Sequence, residues 1–283
     1  MDSYILTLSC PDRLGIVHAV SGFLADHGCN IVDSQQFGDR DTGHFFMRVH
    51  VESTDASTDL PSLRAAFMPV AEQFAMDCEI HDATTKPRIV VMVSKQGHCL
   101  NDLLYRWQVG ALPADIVAIV SNHRDFEPLA RSYGIAYHHI PVTSETKIQA
   151  EQKLLALVDE LQIELVVLAR YMQILSDTVC ERLPGRIINI HHSFLPSFKG
   201  ARPYYQAHRR GVKLIGATAH YVTANLDEGP IIEQEVARVD HGDGVEQLAA
   251  IGRDVECLAL ARAVRWHLEH RVLVDDHKTI VFR

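Results

Sequence analysis

Residues 4–9 (YILTLS) form a short apolar run, followed by a turn at 11–15 and by Val17, Val20, Phe23 and Leu24 at helical spacing up to Gly28. Two partly alternating segments, 30–37 and 44–52, flank the polar stretch GDRDTG, which marks an antiparallel hairpin with a longer loop. Leu63, Phe67, Val70 and Phe74 share one face of a second helix over 60–74, and a last strand is expected near 76–81. The resulting order, βαββαβ, is the ferredoxin-like split unit, in which both helices cover one face of a four-stranded sheet. The other face is left to be covered.

Residues 82–87 (DATTKP) are polar and end in proline, which divides the chain into a first domain at 1–82, a linker at 83–87 and a second domain at 88–283. Beyond the linker the pattern changes to unbroken apolar runs: IVVMV at 89–93, DIVAIVS at 115–121, ELVVLA at 164–169 and RIINI at 186–190. Such runs are strands covered on both faces, and the helical stretches between them, clearest at 150–162, make the second domain α/β: doubly wound around a mostly parallel sheet. Ligands of such folds lie at the carboxyl ends of the strands, near the switch in strand order. After 214–222 and 231–239, Leu248, Ile251, Val255 and Leu258 define a helix over 245–267, and residues 272–282 read as a small hairpin around Asp275-Asp276.

Composition narrows the function. The 283 residues are 47% hydrophobic and 22% charged, and 27 Lys+Arg against 36 Asp+Glu give a net charge of -9, so nucleic acid is not expected as a partner. No apolar stretch approaches the roughly 20 residues of a membrane span, and the N-terminus lacks a basic-then-apolar leader pattern, so a cytoplasmic protein is expected. The six cysteines form no C-x-x-C pair and are expected to be free thiols. Although histidines number 17, no H-E-x-x-H and no zinc-type spacing occurs, so no metal site is expected.

The stretch IINIHHSFLPSFKG follows a buried strand and places Asn189 and His191 two apart, so both side chains point the same way if strand geometry persists. Considered alone, Asn189 also fits a strand-end cap and His191 a filled polar gap. Further on, LIGATAHYVTANLDEGPII carries His220 on a strand and Asp227 in a Gly-Pro turn, where an acid is often only a turn-former.

The combination of Asn-x-His after one strand with Leu-Asp-x-Gly-Pro after a later one, together with LARYMQIL at 168–175 and GATAHYV, resembles the formyltransferase family that uses 10-formyltetrahydrofolate. The resemblance spans roughly 89–271 and implies that Asn189, His191 and Asp227 form the catalytic trio. The chemistry suits those residue types: amide and imidazolium N–H groups stabilise charge building on the formyl oxygen, and a carboxylate holds the imidazole and moves a proton. The resemblance further implies a pterin cleft lined by Met172, Gln173, Ile174, Leu175, Val222 and Thr223, with His220 beside Asp227. For Ile174, Leu175 and Val222, plain core packing is the other reading.

Relatives that formylate glycinamide ribonucleotide hold its phosphate with a Gly/Ser/Asn-rich loop after the first strand of this domain. Here that loop reads VSKQGHCLNDLL, with a single glycine and bulky Lys95, Gln96 and His98, which disfavours close approach of a phosphate, although Lys95 can still meet one as a point charge. The S-K-x-x-H-C-L-x-D-L-L pattern, the doubled His191-His192 and the N-terminal module resemble the formyltetrahydrofolate deformylase family, in which water accepts the formyl group. That resemblance implies tetrahydrofolate and formate as products, no cofactor beyond the folate substrate, and a place in balancing the one-carbon pool and supplying formate for purine synthesis. A nucleophilic Cys99 is not required. The competing readings are a formyltransferase with an amine acceptor and an inactive folate or amino-acid sensor.

The first domain, with CPDRLGIV at 10–17 and GCNI at 28–31, resembles the ACT domain. That resemblance implies an amino-acid ligand, glycine or methionine, at Asp12, Gly15 and Asn30, and because an exposed apolar sheet face or edge asks for a partner, a homo-oligomer joined through the ACT sheets is expected. Asp12 and Asn30 also fit simple turn roles, and Gly15 close packing.

Overall fold

The computed structural model describes residues 2–54, 59–196 and 203–283. The chain divides into two compact units, one comprising Met1–Thr85, Glu269–Asp275 and Thr279–Arg283, the other Lys86–Leu268 and Asp276–Lys278. The first begins β1 (Ser3–Pro11), α1 (Ile16–Asp26), β2 (Cys29–Asp39), β3 (His44–Ser53), α2 (Leu60–Phe74), β4 (Asp77–Asp82). The second contains β5 (Arg88–Val93), α3 (His98–Gln108), β6 (Asp115–Ser121), α4 (Glu127–Ser132), β7 (Ala136–His139), α5 (Lys147–Glu160) and β8 (Leu165–Leu168). It continues through α6 (Asp177–Arg182), β9 (Ile187–His191), α7 (Pro203–Arg210), β10 (Leu214–Tyr221), β11 (Ile231–Arg238) and α8 (Val245–Leu268). Two short strands follow, β12 (Val272–Asp275) and β13 (Lys278–Val281).

In the first unit the strands lie in the order β2-β3-β1-β4, all antiparallel. The period-2 alternation sends Leu6, Leu8, Met47 and Val49 to the face covered by α1 and α2, where Val20, Leu24, Leu63 and Phe67 meet them. Gly15 opens α1 at φ +99, a conformation that favours glycine, and the Asp59 side chain caps α2 by accepting from the Ser62 amide.

The opposite sheet face is met by the chain's own last segment, which the sequence had placed in the second domain. Arg48, 2% exposed, donates from Nε and Nη2 to the Glu269 carbonyl at 3.2 and 3.0 Å and from Nη1 to Asp33 at 3.1 Å. Gln35 bonds both Arg271 and the Arg283 carbonyl, and His44 meets Asp275 at 3.4 Å. Burial of a guanidinium requires such partners, and a short hairpin has no core of its own to hold it elsewhere. With that face met by the chain's own residues, it does not by itself ask for a second copy. The edge strand β2 remains largely exposed, with Ile31, Val32 and Phe37 at its surface.

The second unit holds a seven-stranded sheet in the order β11-β10-β9-β8-β5-β6-β7. The five strands from β9 to β7 are parallel, and β10 runs antiparallel to both its neighbours, β9 and β11. Every residue of Ile89–Val93 and of β8 is buried, as strands covered on both faces require. The chain passes from β5 outward through β6 to β7, then returns to the other side of β5 for β8, so the switch in strand order lies between β5 and β8. Strand β7 (AYHH) gives no apolar run in the sequence because it is a half-exposed edge. No helix among the described residues is long and apolar enough to cross a membrane.

Candidate active site

At the carboxyl ends of β8 and β9 a cleft of about 300 Å³ opens, lined by residues 170–175 after β8, by Asn189, His191 and His192, and by His220, residues 222–224, Leu226 and Asp227. All ten positions singled out for catalysis or for the pterin line this one cleft: Asn189, His191, Asp227, Met172, Gln173, Ile174, Leu175, His220, Val222 and Thr223. Core packing accounts in part for Leu175 and Val222, which also rest against the buried cluster beneath the sheet. It does not account for Met172 and Ile174, 56% and 60% exposed, which offer apolar surface to a ligand. Of the motif at 187–200, residues 197–200 lie outside the described residues.

Strand geometry does persist through β9, and its antiparallel register with β10 sets Asn189 directly opposite His220. His220 Nδ1 donates to the Tyr221 carbonyl at 2.8 Å, and burial pushes the ring's pKa down, so the ring is neutral with a lone pair on Nε2. That nitrogen lies 3.2 Å from Asn189 Nδ2, which therefore donates to it and retains its second N–H. Asp227 approaches from the turn after β10, with Oδ1 3.2 Å from His191 Nδ1 and 3.8 Å from His220 Nε2. The hydrogen bond from His191 holds the Asp227 carboxyl below the usual carboxylate range, against the opposing effect of burial. With Nδ1 committed to Asp227, His191 Nε2 is buried and has no partner among the described residues.

The turn that delivers Asp227 depends on close packing. Asp227 itself adopts φ +56, in the left-handed region that Asp tolerates better than most residues. Gly229, two residues on, lies so near β10 that a Cβ there would fall 1.8 Å from the Tyr221 carbonyl oxygen. The LDEGP sequence is therefore a shaped support as well as a motif.

Sequence reasoning missed Arg170, Tyr171, His192, Ala224 and Leu226 of the cleft wall. Arg170 is linked through Gln96 and Glu256 to the His98 loop, a connection between distant residues that no local spacing reveals. His192 was noted only as half of a doublet; burial, then Arg170 and His191, push its pKa down to about 4, so the ring is neutral at pH 7. Cys99 is fully buried, and its hydrogen bond with Cys257 and its burial push the thiol up, so it supplies no thiolate. His98, Cys99 and Glu256 bring possible metal donors together, but a guanidinium 3.4 Å from the same carboxylate disfavours a cation there.

The first unit treats its three expected ligand positions differently. Asp12 follows β1 beside the Gly43 carbonyl, and Gly15 precedes α1 at the same end of the sheet. Asn30 pairs with Glu52, whereas Pro11 pairs with His44, so Asn30 lies at the far end of β3, roughly 26 Å along the strand. One chain does not bring Asp12, Gly15 and Asn30 into one site, because the hairpin carries the amide away from the β1–α1 turn.

Comparison with known proteins agrees with both units. A family model described as formyl transferase matches residues 87–264, and an ACT domain model matches residues 4–67. A formyltetrahydrofolate deformylase of Corynebacterium sp. (strain P-1) is 52% identical over 280 residues, covering 99% of this chain and 98% of that protein. The crystal structure of a formyltetrahydrofolate deformylase from Pseudomonas syringae pv. tomato str. DC3000 superposes with a TM-score of 0.97 at 50% identity, covering 100% of this chain and 95% of that one. One from Burkholderia mallei ATCC 23344 gives 0.95 at 53%, each chain covered in full. With an ACT fold, a formyltransferase fold and full-length relatives of this kind, the chain belongs to the formyltetrahydrofolate deformylase family.

Proposed function

We propose that Asn189, His191 and Asp227 carry out hydrolysis of 10-formyltetrahydrofolate to tetrahydrofolate and formate, in the cleft at the ends of β8 and β9. The observation that carries this assignment is the linked set His220–Asn189 and Asp227–His191, which leaves one amide N–H and His191 Nε2 uncommitted on the cleft wall among the described residues.

Attack by water forms a C–O bond to the formyl carbon and places negative charge on the formyl oxygen. The second N–H of Asn189 and a proton on His191 Nε2 are the two donors for that charge, preorganised before the reaction begins. Asp227 balances the charge on the ring and takes one proton from the attacking water, directly or through a second water. The C–N10 bond then breaks as the same pair returns that proton to N10, and the formic acid loses its remaining proton to solvent. The folate substrate and water suffice for every step, so no cofactor is required. Met172, Ile174, Leu175, Val222 and Thr223 bound the pterin side of the cleft, and Gln173 and backbone groups of that stretch offer it polar partners.

The ACT unit is read as the regulatory part, taking glycine or methionine. Since Asp12 and Gly15 stand far from Asn30 in one chain, a site that uses all three draws Asn30 from a second copy, which ties amino-acid binding to a homo-oligomer. Calorimetric titration with each amino acid, alongside sedimentation, tests both halves. Absence of heat with either amino acid removes the ligand, and a monomer at all concentrations removes the shared site.

The decisive experiment is incubation with 10-formyltetrahydrofolate and no amine. Equal release of tetrahydrofolate and formate is expected, whereas dependence on an added amine would transfer the assignment to a formyltransferase.

A further inference from the structure

One charged group in the cleft wall has no part in the chemistry above. Arg170 follows β8 and is 7% exposed, yet it lines the cleft together with His191 and His192. Its backbone lies at φ +64, an unfavourable conformation for a long side chain, of a kind that clusters at ligand sites. Nε and Nη2 share Gln96 Oε1 at 3.2 and 2.7 Å, and Nε is 3.4 Å from Glu256 Oε2. Nη1, with two N–H bonds, is buried and has no partner among the described residues.

Glu256 does not fully neutralise this guanidinium. The carboxylate is 1% exposed and its two oxygens are already engaged, Oε2 with His98 Nε2 at 2.6 Å and Oε1 with the Tyr204 hydroxyl at 2.6 Å. The network fixes the guanidinium plane from the loop side and leaves the remaining edge without an acceptor among the described residues. A planar fork with an unused edge matches a carboxylate, and Arg is the side chain that recognises one in that way. Hydrolysis makes one small carboxylate in this cleft, namely formate.

We propose that Arg170, held by Gln96 and Glu256, is the subsite that receives the formate product, a small monocarboxylate, on the acceptor side of the cleft. This rests on the assignment of the reaction to this cleft. No bond is made or broken at Arg170; C–N10 cleavage releases formic acid, and the formate left once its proton has gone to solvent is held there until it leaves.

The test is initial-rate hydrolysis with added sodium formate, against sodium chloride at equal ionic strength. Saturable inhibition by formate beyond the salt control is expected. Arg170→Lys keeps the charge and loses the fork, so the inhibition constant for formate should rise about tenfold or more. Glu256→Gln removes the competing negative charge and should tighten formate inhibition. A cluster that serves only to hold the fold would weaken binding in both variants or change it in neither. Either result, or wild-type enzyme without saturable inhibition, overturns the proposal. Should Arg170→Lys not fold, as judged by circular dichroism, Gln96→Ala removes only the exposed amide that steadies the guanidinium. It is expected to weaken formate severalfold, and an unchanged constant counts against the subsite. Failure of the underlying cleft assignment is separately visible, as undiminished turnover in Asp227→Asn.

Discussion

Asn189 and His220 face each other across the antiparallel β9–β10 pair, and the 3.2 Å bond between them can run in one direction only. Since His220 spends its Nδ1 proton on the Tyr221 carbonyl, its other nitrogen must accept, and the Asn189 amide is thereby turned with its NH₂ group inward. A buried, uncharged histidine thus sets the orientation of the amide that we propose meets the formyl oxygen. His220→Phe keeps the bulk and removes the acceptor. It is expected to lower kcat about tenfold or more with a smaller change in KM, since a donor that acts chiefly on the developing charge is released from its orientation. Steady-state kinetics on the purified variant provide the check.

Asp227→Asn should lose about three orders of magnitude in turnover, because it removes the proposed proton acceptor and counter-charge while preserving size. Asparagine tolerates the left-handed backbone found at this position, so the melting temperature should stay close to wild type. Formate release and a thermal melt on one preparation separate the two effects.

Gly229→Ala tests the turn itself. A methyl group 1.8 Å from a main-chain oxygen cannot be relieved by a rotamer change, so the LDEGP turn must move and carry Asp227 off His191. Activity should fall at least a hundredfold and stability by about 1–3 kcal/mol, readable from turnover and from denaturant midpoints.

Stability should decrease with acidification through a window set by His192. Its ordinary value of 6.5 is pushed down to about 4 in the folded protein, so between those limits the unfolded chain binds a proton that the native chain refuses. Stability therefore rises with pH across that window and levels off above it. His220 is shifted in the same direction by burial and contributes with the same sign. Melting temperatures measured from pH 7 down to pH 4 should fall, and the fall should be shallower in His192→Gln.

Removal of residues 269–283 should destabilise the ACT unit rather than the formyltransferase unit. Arg48 would lose both bonds to the Glu269 carbonyl and pass from a covered face into water, where its charge is rehydrated, so the cost is that of the lost packing and hydrogen bonds, about 1–3 kcal/mol. Limited proteolysis should then cut first within residues 1–85.

Much of this was legible in the sequence, for reasons visible in particular residues. The runs at 89–93 and 165–168 could be read as doubly covered strands because every one of their residues is buried. Asn189 and His191 could be placed on one wall because strand periodicity holds through β9. What stayed hidden depends on distant partners. Glu256 occupies a helix between an apolar and a thiol residue and resembles a solvated charge until His98, Tyr204 and Arg170 are seen around it. The last segment reads as a free hairpin because the arginine that binds it lies on β3. Asp12 and Asn30 look like neighbours in one module, and only the strand register shows them at opposite ends.

The membership of residues 269–275 and 279–283 in the ACT unit bears on the order in which the protein is made. Synthesis delivers the six elements β1 to β4 first and the strands that complete their sheet face only after the whole formyltransferase unit has been translated. At about 5–20 residues per second, the nascent ACT sheet waits on the order of ten seconds or more with Arg48 and Phe46 uncovered. Throughout that interval these six elements are open to chaperones and to mispairing with a neighbouring nascent chain.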